Sequence, residues 1–265
     1  MENNLKTKVD IVYTHYPHYR RPVFSALSNS SLFSFKFYFD ASSNMDGIKH
    51  GKTSNGINFR SIKTYKFLKI MLQPYSIYHS FRTKSKVVIY LGNPFIISTW
   101  LSMLILRLRG KYSLLWTHGW LRNDVSIKKI LRKIFFSLSD SLLLYGNHAV
   151  KIGISNGFSE GFMHPIYNSL DYDLQKKTLN NIGTAVDRFN EQFQPKYFLV
   201  VGRLVKSLEL DILFDACGSL PNQLKIKIVG DGPERKRLEK RASDERLPIN
   251  FLGPIYDEKE LCELF

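Results

Sequence analysis

The residues best suited to chemistry on phosphate lie in three glycine turns near the end of the chain. Gly202-Arg203 follows the apolar run YFLVV and precedes ELDILFDACG; Gly230 and Gly232 lie in IKIVGDGPE; Gly253 closes INFLG. Glycine at a strand end lets the backbone come close to a ligand, and a following helix start offers free N–H groups with a partial positive charge. Arg203 adds a forked, permanently charged donor, although an ordinary surface turn has the same composition. The spacing is not G-x-G-x-x-G, so the dinucleotide fingerprint is absent. A second cluster, His15, Tyr16, His18, Tyr19, Arg20 and Arg21, follows the first apolar run of the chain. No carboxylate or cysteine cluster accompanies its two histidines, which argues against a metal site. Arg20 and Arg21 suit a phosphate-linked molecule, and a solvated turn would carry them equally well.

Charge and composition limit the partners. Residues 1–172 hold 23 Lys and Arg against 8 Asp and Glu, while residues 173–265 hold 15 of each, so the whole formal charge of +15 sits in the first part. Such a field attracts phosphate-rich molecules: nucleic acid, anionic lipid head groups or phosphorylated carriers. A lysine-rich proteome would give the same excess without function. No RNA- or DNA-binding pattern accompanies the charge, so a nucleic-acid partner is not expected. Cys217 and Cys262 form no framework and no CxxC pair, which fits a reduced, intracellular compartment. The polar start MENNLKTKVD lacks the apolar stretch of a secretory signal. The apolar run Phe95–Leu106 is too short to span a bilayer.

The elements that must position these residues alternate between strand and helix. Strands are predicted at 8–14, 34–40, 86–91, 112–117, 140–145 and 163–168, with helices from Pro22, over 65–82 with a break near Pro74, from Pro94, over 126–138 and over 147–156. The helix 126–138 is amphipathic. Lys128, Lys129, Arg132 and Lys133 fall on one face, and Ile130, Leu131, Ile134, Phe135 and Leu138 fall opposite. That helix could rest on an anionic membrane or pack its apolar face on the sheet. Residues 173–195 read as a helix-containing linker. A second unit, 196–265, has strands at 197–201, 225–229 and 249–252, helices at 207–217 and 233–246, and a last helix from Asp257. This is an α/β chain with mostly parallel sheets covered on both faces.

The runs VGRLVKSLELDILFDA, IVGDGPERKRLE and INFLGPIYDEKELCELF resemble the donor domain of family-4 glycosyltransferases of the GT-B fold. YTHYPHYRRPVFSAL, WTHG at 116–119 and SDSLLLYGNHAVKIGISNGFSEGFMHPIYNSLD at 139–171 agree in order, so the resemblance covers nearly the whole chain. It implies two Rossmann-like doubly wound domains: 1–172 on the acceptor side and 196–265 on the nucleotide-sugar side. It further implies a retaining, metal-independent transfer from a nucleotide-sugar, with no other cofactor, to a polysaccharide or lipid-linked glycan. The expected location is the cytoplasm, at the inner face of the cell membrane. By the same resemblance Gly202 and Arg203 clamp the diphosphate, Lys206 lies nearby, and Gly230, Gly232 and Gly253 border the nucleotide. His118 matches a histidine that faces the donor sugar, where the plain alternative is a histidine satisfied at a strand end. His15, Tyr19, Arg20 and Arg21 border the acceptor.

Two departures qualify this. Family members follow the clamp arginine, after four residues, with Lys-Gly; here Leu208-Glu209 stand there. Losing one such donor typically costs roughly 3–4 kcal/mol. The second unit also has three predicted strands where a doubly wound sheet has six, so an incomplete donor domain and impaired transfer are expected. The rival expectation is a non-catalytic subunit that binds a phosphorylated carrier or a partner chain.

Overall fold

The computed structural model describes residues 6–42, 56–120, 127–168, 171–181, 197–219 and 225–264. The chain divides into two compact units, Met1–Asp171 and Tyr172–Phe265.

Among its described residues the first unit is built on seven parallel strands: β1 (Thr7–His15), β2 (Phe33–Asp40), β3 (Phe59–Ser61), β6 (Val87–Leu91), β7 (Tyr112–Thr117), β8 (Ser141–Leu144) and β9 (Met163–Pro165). Their order is β3-β2-β1-β6-β7-β8-β9, so the winding direction reverses between β1 and β6. Such a switch point opens the crevice at the C-terminal strand edge where doubly wound folds bind ligands. The short strands β4 (Tyr65–Phe67) and β5 (Ile70–Leu72) form a separate antiparallel hairpin. The helices are α1 (Arg21–Ser28), α2 (Pro74–Arg82), α3 (Ile97–Leu108), α4 (Ile127–Ser137) and α5 (Asn147–Ser155).

The strands read as continuous apolar runs because both sheet faces are packed. Neighbouring residues Ile11 and Val12 of β1 therefore enter different cores. Val12 joins Val88, Leu115, Leu142, Met103, Leu106, Phe135 and Phe136 on one face. Ile11 joins Phe24, Phe37, Phe39, Tyr13 and Trp116 on the other. A buried polar pin holds β1 to α2: Asp10 Oδ2 lies 2.9 Å from His79 Nε2 and accepts the Thr83 hydroxyl at 2.6 Å. A second pin fixes the C-terminal end of β1, where Gln73 Nε2 donates to the Tyr13 carbonyl and to Thr64 Oγ1, both at 2.9 Å.

Among its described residues the second unit has three parallel strands, β10 (Phe198–Val201), β11 (Ile226–Val229) and β12 (Ile249–Gly253), ordered β10-β11-β12. Its helices are α6 (Tyr172–Asn181), α7 (Leu210–Ser219), α8 (Arg235–Asp244) and α9 (Glu258–Cys262). Its core joins Leu204, Phe214, Ile226, Ile228 and Leu238. Helix α6, in the segment read as a linker, packs against α9; residues 182–195 of that segment lie outside the described residues.

Three expectations need correction. Residues 65–72 are a hairpin and not helix. The chain reverses at Leu68, which takes a left-handed φ of 54° although it is neither Gly nor Asn, so the usual turn chemistry is missing from the sequence. Helix α3 begins at Ile97 and not at Pro94: the Phe95 amide bonds Asn93 Oδ1, and a turn occupies the intervening residues. In α4 the expected faces are out of phase. Phe135 and Phe136 are buried, whereas Ile130, Leu131 and Ile134 are exposed, and Arg132 Nη1 turns inward to the Gly119 carbonyl.

Candidate functional sites

In the first unit the site is assembled at the C-terminal ends of β1, β7 and β8. Thr117 ends β7 and its hydroxyl donates to the Gly92 carbonyl at 2.9 Å. The same oxygen accepts the Gly119 amide at 3.2 Å, which folds the chain back immediately after His118. Gly119 has φ +64°, and a Cβ there would meet Leu144 Cδ2 at 2.8 Å. That turn leaves the imidazole of His118 at the surface, with one side against the Tyr145 ring at 4.3 Å and 82°.

Beneath it sits Arg20, only 3% exposed. Its guanidinium lies 5.0 Å from the Trp116 ring, 4.9 Å from Tyr145 and 5.8 Å from Tyr19. Its Nη2 donates to the Tyr145 hydroxyl at 2.5 Å. Among the described residues no carboxylate pairs with it, so aromatic faces and one phenol stabilise a buried cation. Partial burial, and then the Arg20 charge, lower the pKa of His118, which favours the neutral ring at pH 7. A neutral imidazole can accept and donate a hydrogen bond at once.

The structure thus joins Tyr19, Arg20 and His118 through Tyr145 and Trp116, neither of which the sequence marked as a site residue. Their only signal was their place at or beside the ends of two predicted strands. His15 is half-buried at the end of β1, and its Nδ1 lies 3.1 Å from Thr14 Oγ1. Arg21 is exposed at the first position of α1. Arg20 is inaccessible, so the sequence expectation that it meets a phosphate at the surface is corrected: its side chain is part of the packing under His118.

In the second unit the three glycine turns line one sheet edge and interlock. The Gly202 amide donates to the Val229 carbonyl at 3.0 Å, the Leu204 amide to Asp231 at 2.9 Å, and the Gly230 amide to Gly253 at 2.8 Å. A Cβ on Gly230 would lie 1.8 Å from the Gly202 carbonyl oxygen, and one on Gly232 would lie 2.2 Å from that of Leu204. Both glycines are therefore needed for two loops to approach each other, whatever ligand binds beside them.

Arg203 and Lys206 are exposed, and among the described residues neither forms an ion pair. The arginines of ERKRLEKR are engaged elsewhere. Arg237 forks onto both Asp211 oxygens at 2.9 and 2.8 Å and reaches Glu234 at 2.7 Å. Arg241 bonds Asp211, Asp215 and Glu245, and Arg235 bonds Glu239. These side chains tie α8 to α7 and to neighbouring turns of α8 itself, so they are not free to meet phosphate. Glu209 takes a left-handed φ of 52°, a conformation in which glycine is at ease and other residues are strained. Among the described residues no group of three His, Cys, Asp or Glu is placed to hold a metal ion.

A search among curated proteins found no match. Solved structures share the architecture. The lipopolysaccharide outer core galactosyltransferase WaaB, in apo form, aligns with a TM-score of 0.65 at 16% identity, covering 97% of this chain and 71% of that one. Anabaena Alr3699/HepE in complex with UDP aligns at 0.66 and 13% identity, covering 97% and 72%. The UDP-GlcNAc 2-epimerase of Neisseria meningitidis bound to UDP-GlcNAc aligns at 0.54 and 13%, covering 97% and 74%. The fold is thus α/β of the GT-B type, and residues 184–265 match the glycosyl transferases group 1 family.

Proposed function

We propose that this chain is a glycosyltransferase of the family-4 type that transfers a sugar from a nucleotide-sugar to a polysaccharide or lipid-linked glycan, with retention and without a metal. The observation that carries the reading is the match of residues 184–265 to the glycosyl transferases group 1 family. Within that segment Arg203 is exposed beside Gly202 without an ionic partner among the described residues. The fold alone would also suit an epimerase of nucleotide-sugars, and the family match favours transfer. HepE was solved with UDP and with UDP-glucose, which makes a UDP-sugar the first donor to test.

In this reading Gly202 and Arg203 hold the donor diphosphate, the turns at Gly230, Gly232 and Gly253 border the nucleotide, and Lys206 adds positive charge. His118 hydrogen-bonds the sugar as a neutral imidazole, and His15, Tyr19 and Arg21 face the acceptor while Arg20 supports His118 from below. Work at the inner face of the cell membrane would bring the acceptor within reach. The test is release of UDP from UDP-glucose by the purified chain. Arg203→Ala should lower kcat/KM by a hundredfold or more, as loss of one preorganised charged donor does. Leu208→Lys/Glu209→Gly should raise it. A second reading, a non-catalytic subunit, is favoured by Leu208-Glu209 at the clamp. UDP release unaffected by Arg203→Ala, or no release from the wild type and from the Lys-Gly variant, would establish that second reading.

A further inference from the structure

We propose that the first unit binds a carboxylate with an apolar tail, of the fatty-acid class, in a hollow on the sheet face that α1 leaves partly bare, with Arg20 holding the carboxylate. The two faces of the sheet are covered unequally. Residues of α2, α3, α4 and α5 all pack into the core around Val12 and Val88. On the opposite face α1 is the described helix that contributes, through Val23, Phe24 and Leu27. A parallel sheet ordinarily has both faces covered, and here Ile89 of β6 and Leu143 of β8 stay half-buried. A hollow of about 310 Å³ results, walled by Val23, Leu27, Phe35, Ile89, Leu143 and Ile166, with Arg20 and Trp116 also in its wall. Phe35 and Ile89 also line a second hollow of about 570 Å³, which Val9, Val87 and Leu114 continue toward the starts of the strands. Trp116 borders the first and Tyr112 the second, so along β7 the pair spans roughly 13 Å at about 3.3 Å per residue. The cation stands at one end of this run.

Small-molecule sites are mostly apolar, with a few polar groups that fix orientation, and Arg20 is the group that does so here. It is nearly closed to bulk water, yet it lines the hollow. Among the described residues it meets one phenol and aromatic faces but no carboxylate. The Nε1 of Trp116, its neighbour in the wall, is a buried donor without an acceptor among the described residues, whereas buried donors ordinarily find one. A carboxylate answers Arg20 with one charge for one, and its two oxygens match the planar fork. A phosphate dianion would leave a surplus charge in an apolar hollow. The tail meanwhile takes Ile89, Leu143 and Leu114 out of water together with its own surface. Asp140 borders the second hollow and repels a head group bound the other way round.

The site does not depend on sugar transfer, and its binding is measured without any sugar. The full chain is titrated with decanoate, octanoate and decyltrimethylammonium, each below its micelle concentration, by calorimetry and tryptophan fluorescence. Decanoate should bind, octanoate should bind about tenfold more weakly for its two missing methylenes, and the ammonium with the same tail should not bind. Arg20→Met should weaken decanoate by roughly tenfold to a hundredfold, the worth of a charge-assisted hydrogen bond. Leu27→Trp fills the hollow from α1, leaves Arg20 in place and should abolish the binding. If Arg20→Met unfolds, Leu27→Trp and the ammonium decide. The charge of Arg20 helps to lower the pKa of His118, so a carboxylate seated on it should raise that pKa in a proton NMR titration. No binding of decanoate, equal binding of the ammonium, affinity that neither variant alters, or a His118 titration unmoved by decanoate would each overturn the proposal. So would a dimer in light scattering that Leu27→Trp disperses, because a second copy would then fill the hollow.

Discussion

Arg20 is a cation where a folded protein would ordinarily supply a carboxylate, and its surroundings explain how it is tolerated. Trp116 and Tyr145 offer their electron-rich faces, and the Tyr145 oxygen accepts one N–H. Such contacts offset part of the desolvation of a buried guanidinium, and each is worth about 2 kcal/mol when dry. The arrangement has a measurable effect on His118. Arg20→Met should let the imidazole pKa rise toward its ordinary value, because a nearby positive charge is removed. Arg20→Lys keeps the charge and loses the planar fork, so His118 should stay lowered while stability falls by about 1–3 kcal/mol. Proton NMR titration of His118 in both variants, beside thermal melts, separates charge from packing. If both variants titrate alike, Arg20 acts on His118 through geometry only.

At the scale of elements, the sheet order relies on buried pins as well as on apolar contact. Asp10 carries the clearest pH signature. Burial raises its pKa, but hydrogen bonds from His79 and Thr83 outweigh this, and the net shift is downward. A carboxyl lowered in the fold adds stability above its unfolded pKa of about 3.9 and loses it as pH falls through the folded value. The chain should therefore weaken below about pH 4, and Asp10→Asn should flatten that dependence. His79→Leu removes one partner of a buried carboxylate and should cost about 3–5 kcal/mol at pH 7; urea melts at pH 3 to 7 read both. The strands were legible in the sequence because runs such as KVVIYL have no competing period. The hairpin was not, because Leu68 reverses the chain without Gly or Asn. Helix α4 was legible as a helix but not in phase, because amphipathicity does not say which side meets the sheet. The glycine turns were found as such, yet the pairing of Arg237 and Arg241 with Asp211 spans 26 and 30 residues, and no local pattern announces it. Arg20 looked like a surface cation for the same reason: its partner Tyr145 lies 125 residues away.

At the scale of the whole molecule, charge divides the two units as sharply as structure does. The first 172 residues carry all of the net +15, and the rest balances 15 basic against 15 acidic residues. Many of that second set cancel in place, with Asp211 held at a pKa of about 2 by hydrogen bonds from Arg237 and Arg241. A neutral unit with local pairs has little long-range field, so its ligands must be caught by contact. A unit with an uncompensated field attracts at a distance and is exposed to screening. Raising ionic strength from about 0.1 to about 1 M shortens the screening length from about 10 to about 3 Å. Any binding of the chain to anionic vesicles through that field should then fall by more than tenfold, while UDP binding, resting on Arg203 at contact distance, should change by less than about fivefold. Calorimetric titration of UDP and vesicle flotation on one preparation make the comparison. Equal losses would mean that the field of the first unit also gathers the nucleotide, and the donor site would then depend on charge outside its own domain.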